Sequence, residues 1–363
     1  MTLSSELSAD KRKPSELTIM SIPEKDKLFD IAIVGATGAV GETLLEVLDA
    51  REFPVGKLFL LASERSAGGT LRYKGRSITI ENLADFDFNR AQIALFSAGG
   101  SVSAKYVPRA ASAGCIVIDN TAHFRYQDDI PLIIPEVNPS AIALYKGTNI
   151  IANPNCSTIQ MLVALKPIHD AVGIERINVC TYQAVSGAGK EAMKELAGQT
   201  ANLLNAKSVN CEVFPKQIAF NVLPQIDVFL DNGYTKEEMK MVWETKKIMG
   251  ESISVNATAV RVPVFYGHSE ACHIETKNKI TAEQATELLN KAPGVIVIDG
   301  REDAAYPTAV SDSSGNDEVY VGRIREDISH QRGLNLWIVA DNLRKGAATN
   351  SVQIAECLVR DYL

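Results

Sequence analysis

The stretch "IAIVGATGAVG", residues 31–41, decides the fold of the first half of the chain. An apolar run typical of a buried strand ends at Gly35, and Gly38 and Gly41 follow before a helical pattern begins. Glycines at such a turn let the backbone approach a pyrophosphate, which then meets the amide groups at the helix N-terminus. We therefore predict a dinucleotide-binding site. The spacing is GxxGxxG rather than GxGxxG, so a tight turn without a ligand is the alternative.

Outward from this turn, strand and helix patterns alternate up to residue 156. The strand-like runs "KLFLLAS", "AQIALFSAG", "CIVIDNT" and "TNIIANP" predict a parallel sheet with crossover connections. Beyond this point the strands lengthen and helices become fewer, which indicates an α+β domain on a mixed or antiparallel sheet. The fold class is therefore α/β, a Rossmann-type nucleotide-binding domain plus an α+β domain. Helices are predicted at about 188–205, 235–249 and 281–291, with a single helix over 343–363.

Composition limits the classes of function. The 363 residues are 46% hydrophobic and 22% charged, as in a soluble globular protein with room for two domains. A net charge of −7 argues against nucleic-acid binding, since no basic excess exists to neutralise phosphates. No apolar stretch is long enough to span a membrane. Residues 1–28 lack a signal-peptide core and are predicted to be a mobile extension, while the six scattered cysteines predict free thiols in a reducing, cytoplasmic compartment.

The end of the second predicted strand, "LLASERSAG", indicates which dinucleotide binds. An NAD site usually carries an acidic residue here for the ribose hydroxyls. Ser63, Arg65 and Ser66 would instead suit a 2′-phosphate, because arginine offers a charged fork and the hydroxyls donate hydrogen bonds. Glu64 is the residue against this interpretation. NADP is therefore favoured over NAD.

Cys156 stands in "ANPNCST", between a strand-like run and a helical one. If it begins the helix, the positive field of the helix N-terminus should lower the pKa of its thiol and favour a nucleophilic thiolate. The alternative, a buried packing cysteine, fits the other five cysteines better.

Three further features could serve a thiolate enzyme. His268 follows a strand on a turn, and histidines at such positions are candidates for acid/base chemistry. Strand alternation sets Arg261 on the face opposite its apolar neighbours, where it needs an anion, either a substrate or a structural ion-pair partner. Glu237 and Lys240 share a helix face, and this spacing alone is typical of a solvated salt bridge of little consequence.

Ten ordered motifs carry a family resemblance. They are "GATGAVG", "SAG" ahead of a helix, "DNTAHFR", "PEVN", "NPNCST", "QAVSGAG", "IAFNVLPQID", "EEMKM", "RVPVFYGHSE" and "ATNSVQIAE". From residue 29 to its end the chain resembles aspartate-β-semialdehyde dehydrogenase. The resemblance implies a nucleotide-binding domain at 29–156 and a catalytic and dimerisation domain at 157–342, with helix 343–363 returning to the first. The spellings "SxRSAG" and "DNTxxFR" favour the Gram-positive-like branch over the enteric one.

The resemblance also implies roles for single residues. Cys156 matches the nucleophile, His268 the acid/base and Gln183 the residue that orients the intermediate. The substrate site it implies comprises Arg261 for the carboxylate, Glu237 for the amino group, Gly187, and the phosphate ligands Arg125, Asn155 and Lys240. The cofactor site comprises Gly35, Thr37, Gly38, Ala39, Val40, Gly41, Ser63, Arg65, Ser66 and Asn342. No metal site is expected.

The implied reaction is NADPH-dependent reductive dephosphorylation of L-4-aspartyl phosphate to L-aspartate 4-semialdehyde through a cysteine thioester. It would serve biosynthesis of lysine, threonine, methionine and isoleucine, in a homodimer or a homotetramer. Two alternatives stay open. One is N-acetyl-γ-glutamyl-phosphate reductase, which would not need Glu237 for a free amino group. The other is a non-catalytic nucleotide-binding paralogue, which would have no reason to keep Cys156, Gln183, Arg261 and His268 together.

Overall fold

The structure is a computed structural model, and it describes residues 27–302 and 304–363. Most of the extension predicted at 1–28 therefore lies outside the described residues. The described chain is organised around two β-sheets. None of its helices is both long and apolar enough to cross a membrane.

The first sheet has seven strands in the order β3-β4-β2-β1-β5-β6-β7. Their bounds are β1 Phe29–Val34, β2 Val55–Ala62, β3 Thr70–Tyr73, β4 Arg76–Asn82, β5 Ile93–Phe96, β6 Ile116–Asp119 and β7 Ile150–Ala152. All neighbours pair in parallel except β3 and β4, so the predicted parallel sheet is confirmed. The β3–β4 hairpin was not predicted, because its strands are short and mostly polar, with Ile80 as their one fully buried apolar side chain.

Helices cover both faces of this sheet. They are α1 Ala39–Ala50, α2 Gly100–Ser112 and, from the far end of the chain, α7 Thr349–Asp361. One core joins the sheet to α1 and α7 through Ile31, Leu44, Val352 and Leu358. The predicted C-terminal helix is interrupted near its start by a wide π-type turn at Arg344–Ala348.

The second sheet has six strands in the order β11-β12-β13-β10-β8-β9. Their bounds are β8 Ile174–Gln183, β9 Ser254–Arg261, β10 His268–Thr276, β11 Val295–Val297, β12 Val319–Glu326 and β13 Gly333–Ala340. Two pairs are parallel and three antiparallel, so the predicted mixed sheet is confirmed. The helix α3 spans Cys156–Val172. The helices α4 Lys190–Leu204, α5 Lys236–Met249 and α6 Ala282–Asn290 begin and end close to the predicted bounds.

One face of the second sheet is covered by helices, and its core includes Met161, Leu165, Met241, Ile274 and Leu289. The helix α3 runs from the carboxyl end of β7 into this core, so it connects the two sheets. Ligands of α/β proteins bind at the carboxyl ends of parallel strands. The start of α3 is therefore the expected place for a site.

Candidate active site

Cys156 is the first residue of α3, as the sequence predicted. Asn155 is the helix N-cap, and its side-chain oxygen accepts hydrogen bonds from the backbone N–H groups of Ser157 and Thr158 at 3.0 and 3.3 Å. These are the donors that a free helix N-terminus would offer to an anion. Part of the field expected at Cys156 is therefore already used by the cap.

The prediction of a lowered thiol pKa at Cys156 is wrong. Desolvation by the dense surroundings and the nearby Glu237 carboxylate raise its pKa to about 12. The cationic side chains Arg125, Arg261 and Lys240 act in the opposite direction but do not outweigh burial. At neutral pH the residue is therefore a neutral thiol held among charges.

Glu237 lies at the centre of this set of charges. Its Oε1 accepts from Asn155 Nδ2 at 2.8 Å and from Gln183 Nε2 at 3.3 Å, and its Oε2 pairs with Lys240 Nζ at 2.8 Å. Burial alone would raise its pKa, but Lys240 and the hydrogen bond from Asn155 lower it to about 2. The residue is only 5% exposed. The interpretation of Glu237 and Lys240 as a solvated salt bridge is therefore wrong.

A capping box opens α5, since Thr235 and Glu238 exchange hydrogen bonds between side chain and backbone. It begins the helix one residue before Glu237. The other carboxylate oxygen of Glu238 accepts from the N–H of Ala259 in β9 at 2.9 Å. The box therefore fixes both the start of α5 and its position against the second sheet.

Arg261 ends β9 on its buried face, in line with Ala257 and Ala259. Its NH1 donates to the carbonyl oxygen of Ala184 at 2.8 Å. Within residues 27–302 and 304–363 it forms no salt bridge, so the described chain offers no support for the structural ion pair. Burial lowers its pKa while Glu237 opposes that shift. A buried arginine without a salt bridge is suited to bind an anionic group.

His268 is the first residue of β10, rather than a turn residue after β9, and is fully buried. Its Nδ1 accepts from the backbone N–H of Ala184 at 3.0 Å, which assigns the ring proton to Nε2. Burial first, and then Arg261, lower its pKa to about 3, so the ring is neutral. In the described part of the chain Nε2 has no hydrogen-bond partner.

Gly187 keeps the space between these two side chains open. A Cβ atom on it would lie 3.1 Å from Arg261 NH1 and 3.5 Å from His268 Nε2. The structure thus brings the backbone of Gly187, the guanidinium and the Nε2–H group together at one point. A group bound there would contact all three.

Arg125 follows β6 and is buried. Its NH1 donates to Glu244 Oε1 at 3.0 Å, and its NH2 donates to the carbonyl oxygen of Asn120 at 2.8 Å. Burial alone would lower its pKa, but the Glu244 carboxylate and Tyr126 raise it, so the guanidinium stays charged. Arg125 is therefore one of the cationic side chains that act on the Cys156 thiol.

Asn342 follows β13 by two residues and is buried. Its side-chain oxygen accepts from the N–H of Gly267 at 3.0 Å, and its amide group donates to Ser186 Oγ at 2.9 Å. Nearby, a Cβ atom on Gly346 would stand 2.7 Å from the Cβ of Cys156. Ser186 and Gly346 were missed by sequence reasoning. A glycine inside the helical pattern "RKGAATNS" was the available signal for Gly346.

The glycine turn has the backbone of a phosphate-binding loop. Gly35 has φ +87°, in the left-handed region, and a Cβ atom on Gly41 would lie 2.2 Å from the carbonyl oxygen of Gly35. The N-cap of α1 is Gly38, which has no side chain. No side-chain hydrogen bond therefore caps the helix start at Ala39 and Val40. The amide end of α1 can therefore face an anionic group. Thr37 contributes its carbonyl oxygen, which accepts from Lys190 Nζ at 2.9 Å.

The predicted 2′-phosphate residues follow β2 directly. Ser63 is the N-cap of a short 3-10 turn at Glu64–Ser66, and Arg65 extends from that turn into solvent. Glu64 is exposed on the same turn. The structure therefore groups the three predicted residues and the one that opposes them within a single turn.

Comparisons with known proteins agree with this architecture. The family model described as semialdehyde dehydrogenase, NAD binding domain, matches residues 30–145, and the one described as semialdehyde dehydrogenase, dimerisation domain, matches residues 165–345. Aspartate-semialdehyde dehydrogenase 2 of Vibrio cholerae is 65% identical over 335 residues, covering 92% of this chain and 98% of that protein. The chain belongs to the aspartate-semialdehyde dehydrogenase family. The predicted fold class is confirmed with it.

The comparisons do not support the branch of the family that was predicted. The aspartate-semialdehyde dehydrogenase of Bacillus subtilis is 50% identical, covering 90% of this chain and 96% of that protein, against 65% for the Vibrio cholerae relative. The Gram-positive-like assignment is therefore wrong. It rested on two short motifs, whereas identity over the whole chain samples every position.

Solved structures of the family have the same fold. The crystal structure of aspartate semialdehyde dehydrogenase II from Vibrio cholerae complexed with ASA superposes with a TM-score of 0.91 at 64% identity, covering 93% of this chain and 100% of that one. The aspartate semialdehyde dehydrogenase from Candida albicans with NADP gives a TM-score of 0.72 at 25% identity, covering 92% and 99%.

Proposed function

We propose that the protein catalyses the NADPH-dependent reductive dephosphorylation of L-4-aspartyl phosphate to L-aspartate 4-semialdehyde, a step in amino-acid biosynthesis. The observation that carries the proposal is the buried pair of recognition groups beside Cys156. An ionised Glu237 suits a substrate ammonium, and an Arg261 without a salt bridge in the described chain suits a carboxylate. These are the two ends of a free amino acid, whereas an N-acetylated substrate would offer Glu237 no ammonium group.

The first step joins the substrate to the enzyme. The sulfur of Cys156 attacks the acyl carbon, the bond from that carbon to the phosphate oxygen breaks, and a thioester forms. The thiol, neutral in the free enzyme, loses its proton in this step, and that proton leaves with the product as hydrogen phosphate. Arg125 and Lys240 are the cations that would bind the departing phosphate, with Asn155 beside them.

The second step returns the free thiol. A hydride and a proton convert the thioester into aldehyde and thiol by way of a thiohemiacetal. The Nε2–H of His268 donates a hydrogen bond to the carbonyl oxygen as it gains negative charge, and serves as the proton carrier when the intermediate collapses. We assign Gln183, which donates to Glu237, to orienting that intermediate.

The cofactor we propose is NADP. The glycine turn fits a pyrophosphate, since the close approach of Gly41 to Gly35 leaves no room for a side chain there. Ser63, Arg65 and Ser66 suit the 2′-phosphate, and the Candida albicans relative was solved with NADP. When bound, NADPH supplies the hydride. Asn342, assigned to the cofactor on the resemblance, lies by the active-site loops and would contact only the nicotinamide end.

We further propose a homodimer, with a homotetramer as the alternative. A groove of about 520 Å³ beside the second sheet is lined by Val264, Tyr306, Pro307, Val310 and Trp337. Two of these side chains, Tyr306 and Val310, are large, apolar and exposed, which is typical of an interface. The match to a dimerisation domain over 165–345 supports this proposal.

Domain limits at 29–156 and 157–342, with 343–363 packed on the first domain, remain our proposal. The packing of α7 against α1 supports it. A cytoplasmic location is also proposed, and the six cysteines, all free, support it.

The test is phosphate-dependent reduction of NADP⁺ with L-aspartate 4-semialdehyde, run beside N-acetyl-L-glutamate 5-semialdehyde. We expect activity with the first aldehyde alone, and we expect it to be lost when phosphate is omitted. Activity with only the second aldehyde would refute the substrate. Inactivity with both, in a folded protein that binds NADP⁺, would favour the non-catalytic paralogue.

A further inference from the structure

Glu244 is a fully buried carboxylate on α5 to which the sequence assigned nothing. Its Oε1 accepts from Arg125 NH1 at 3.0 Å and from the Tyr126 hydroxyl at 3.3 Å. Its Oε2 accepts from the backbone N–H of Asn155 at 2.6 Å. One carboxylate thus joins the loop after β6 to the residue that precedes Cys156.

Asn155 is held from two sides by the same helix. Its side-chain amide donates to Glu237, and its backbone N–H donates to Glu244, seven residues further along α5. Residues at that spacing lie on one helix face, two turns apart. With both N–H groups committed, the side-chain oxygen of Asn155 is directed to the first turn of α3, where it caps the helix that carries Cys156.

Arg125 is held in a similar way. NH1 is bound by Glu244 and NH2 by the carbonyl oxygen of Asn120. Its Nε is buried, and in residues 27–302 and 304–363 it has no hydrogen-bond partner. A buried N–H donor without a partner is costly, which indicates that a ligand acceptor is expected there. The ion pair with Glu244 fixes the direction in which this donor points.

We propose that Glu244 is a positioning residue that holds the guanidinium of Arg125 and the Asn155–Cys156 segment in one fixed geometry. The inference rests on the proposed function, in which Arg125 binds the phosphate and Cys156 attacks the acyl carbon bonded to it. The distance between the phosphate and the sulfur is then set by one buried carboxylate. Loss of that carboxylate should impair the phosphate reaction far more than recognition of the amino-acid end, which depends on Glu237 and Arg261.

The variant that tests this is Glu244→Gln, which keeps the shape but replaces one acceptor oxygen by a donor and removes the charge. We expect the KM for inorganic phosphate to rise about tenfold or more, as for loss of a charge-assisted hydrogen bond, with kcat reduced. The KM for L-aspartate 4-semialdehyde should change by less than about twofold, since Glu237 keeps Gln183 and Lys240 as partners and Arg261 is bound to Ala184. Glu244→Asp, which is too short to reach both partners, should act in the same direction and replaces the first variant if that one does not fold.

Two matched controls separate positioning from general damage. Glu238→Gln also removes a buried carboxylate from α5, but one bound to Thr235 and Ala259, and should leave the phosphate KM unchanged even if the melting temperature falls. Tyr126→Phe removes only the long 3.3 Å contact to Glu244 and should have a small effect.

Three outcomes would count against the inference. Equal KM values for phosphate in Glu244→Gln and Glu238→Gln would make Glu244 merely structural. A lower KM for phosphate in Glu244→Gln would show that Glu244 competes with phosphate for Arg125. That result would likewise overturn the proposal. Absence of phosphate-dependent activity in the wild-type protein would refute the proposed function itself, and the inference with it.

Discussion

The glycine turn and the cluster around α5 are built in different ways. The turn lies within a few consecutive residues, and its requirement is a backbone one: a left-handed φ at Gly35 and no side chain at Gly41. The α5 cluster joins Cys156, Glu237 and Arg261, which are far apart in the sequence, and its properties come from burial and mutual charge. The comparison teaches that a local backbone requirement can be predicted from sequence, whereas the electrostatics of an assembled site cannot.

The largest effect should follow from a side chain added to the glycine turn. Gly41→Ala places a methyl group 2.2 Å from the carbonyl oxygen of Gly35 and 2.7 Å from the Cα of Ala36, so the backbone must shift. We expect loss of measurable NADP⁺ binding and a decrease of about 1–3 kcal/mol in the free energy of unfolding. Calorimetric titration and denaturant unfolding measure the two. The control is Gly198→Ala in α4, where no atom lies within 4 Å. Normal NADP⁺ binding by Gly41→Ala would show that the turn is not the pyrophosphate site.

In the α5 cluster a conservative change should act on one end of the substrate. Arg261→Lys replaces a planar fork by a point charge, and we expect the KM for L-aspartate 4-semialdehyde to rise about tenfold or more. The KM for phosphate should stay nearly constant, because Arg261 belongs to the amino-acid end. Steady-state kinetics beside Arg109→Lys, on the exposed side of α2, measure both. An unchanged KM for the aldehyde would remove Arg261 from the substrate site.

A smaller effect concerns the ionisation of Cys156. Since the pKa of the thiol is about 12, its alkylation by iodoacetamide should keep accelerating up to pH 10 without a plateau. Glu237→Gln removes the negative charge that disfavours the thiolate, so the pKa falls and alkylation at pH 8 should be a few times faster. Peptide mapping distinguishes Cys156 from the exposed Cys211. Glu238→Gln should change nothing. If the alkylation rate of the wild-type protein reached a plateau below pH 8, the thiol pKa would be low, as the sequence predicted.

Much of the fold could be predicted because its signals are local. Apolar runs and the glycine turn located the parallel sheet, and strand length indicated the mixed sheet. The β3–β4 hairpin was missed because its strands are short and mostly exposed, and only Ile80 among their apolar side chains is fully buried. A hydrophobic pattern carries no information about strands that bury little.

Less of the site could be predicted from residues alone. The position of Cys156 at a helix start followed from sequence, but the sign of its pKa shift did not, because desolvation depends on every element packed around it. The sequence pattern of Glu237 is that of a surface residue. In the fold, however, it is contacted by Gln183 of β8 and by Asn155 at the start of α3. Glu244 had no signal beyond its spacing from Glu237. Both carboxylates gain their roles from partners that are distant in the chain.

The most direct test of the account is whether Cys156 becomes acylated. Incubation with L-aspartate 4-semialdehyde and NADP⁺, without phosphate, should oxidise the aldehyde and leave an aspartyl thioester on the enzyme. We expect intact-mass spectrometry to detect this adduct, peptide mapping to locate it at Cys156, and inorganic phosphate to release it. Cys156→Ala should form none. An adduct that persists on Cys156→Ala, or a wild-type enzyme that turns over without any acylated form at Cys156, would contradict the mechanism.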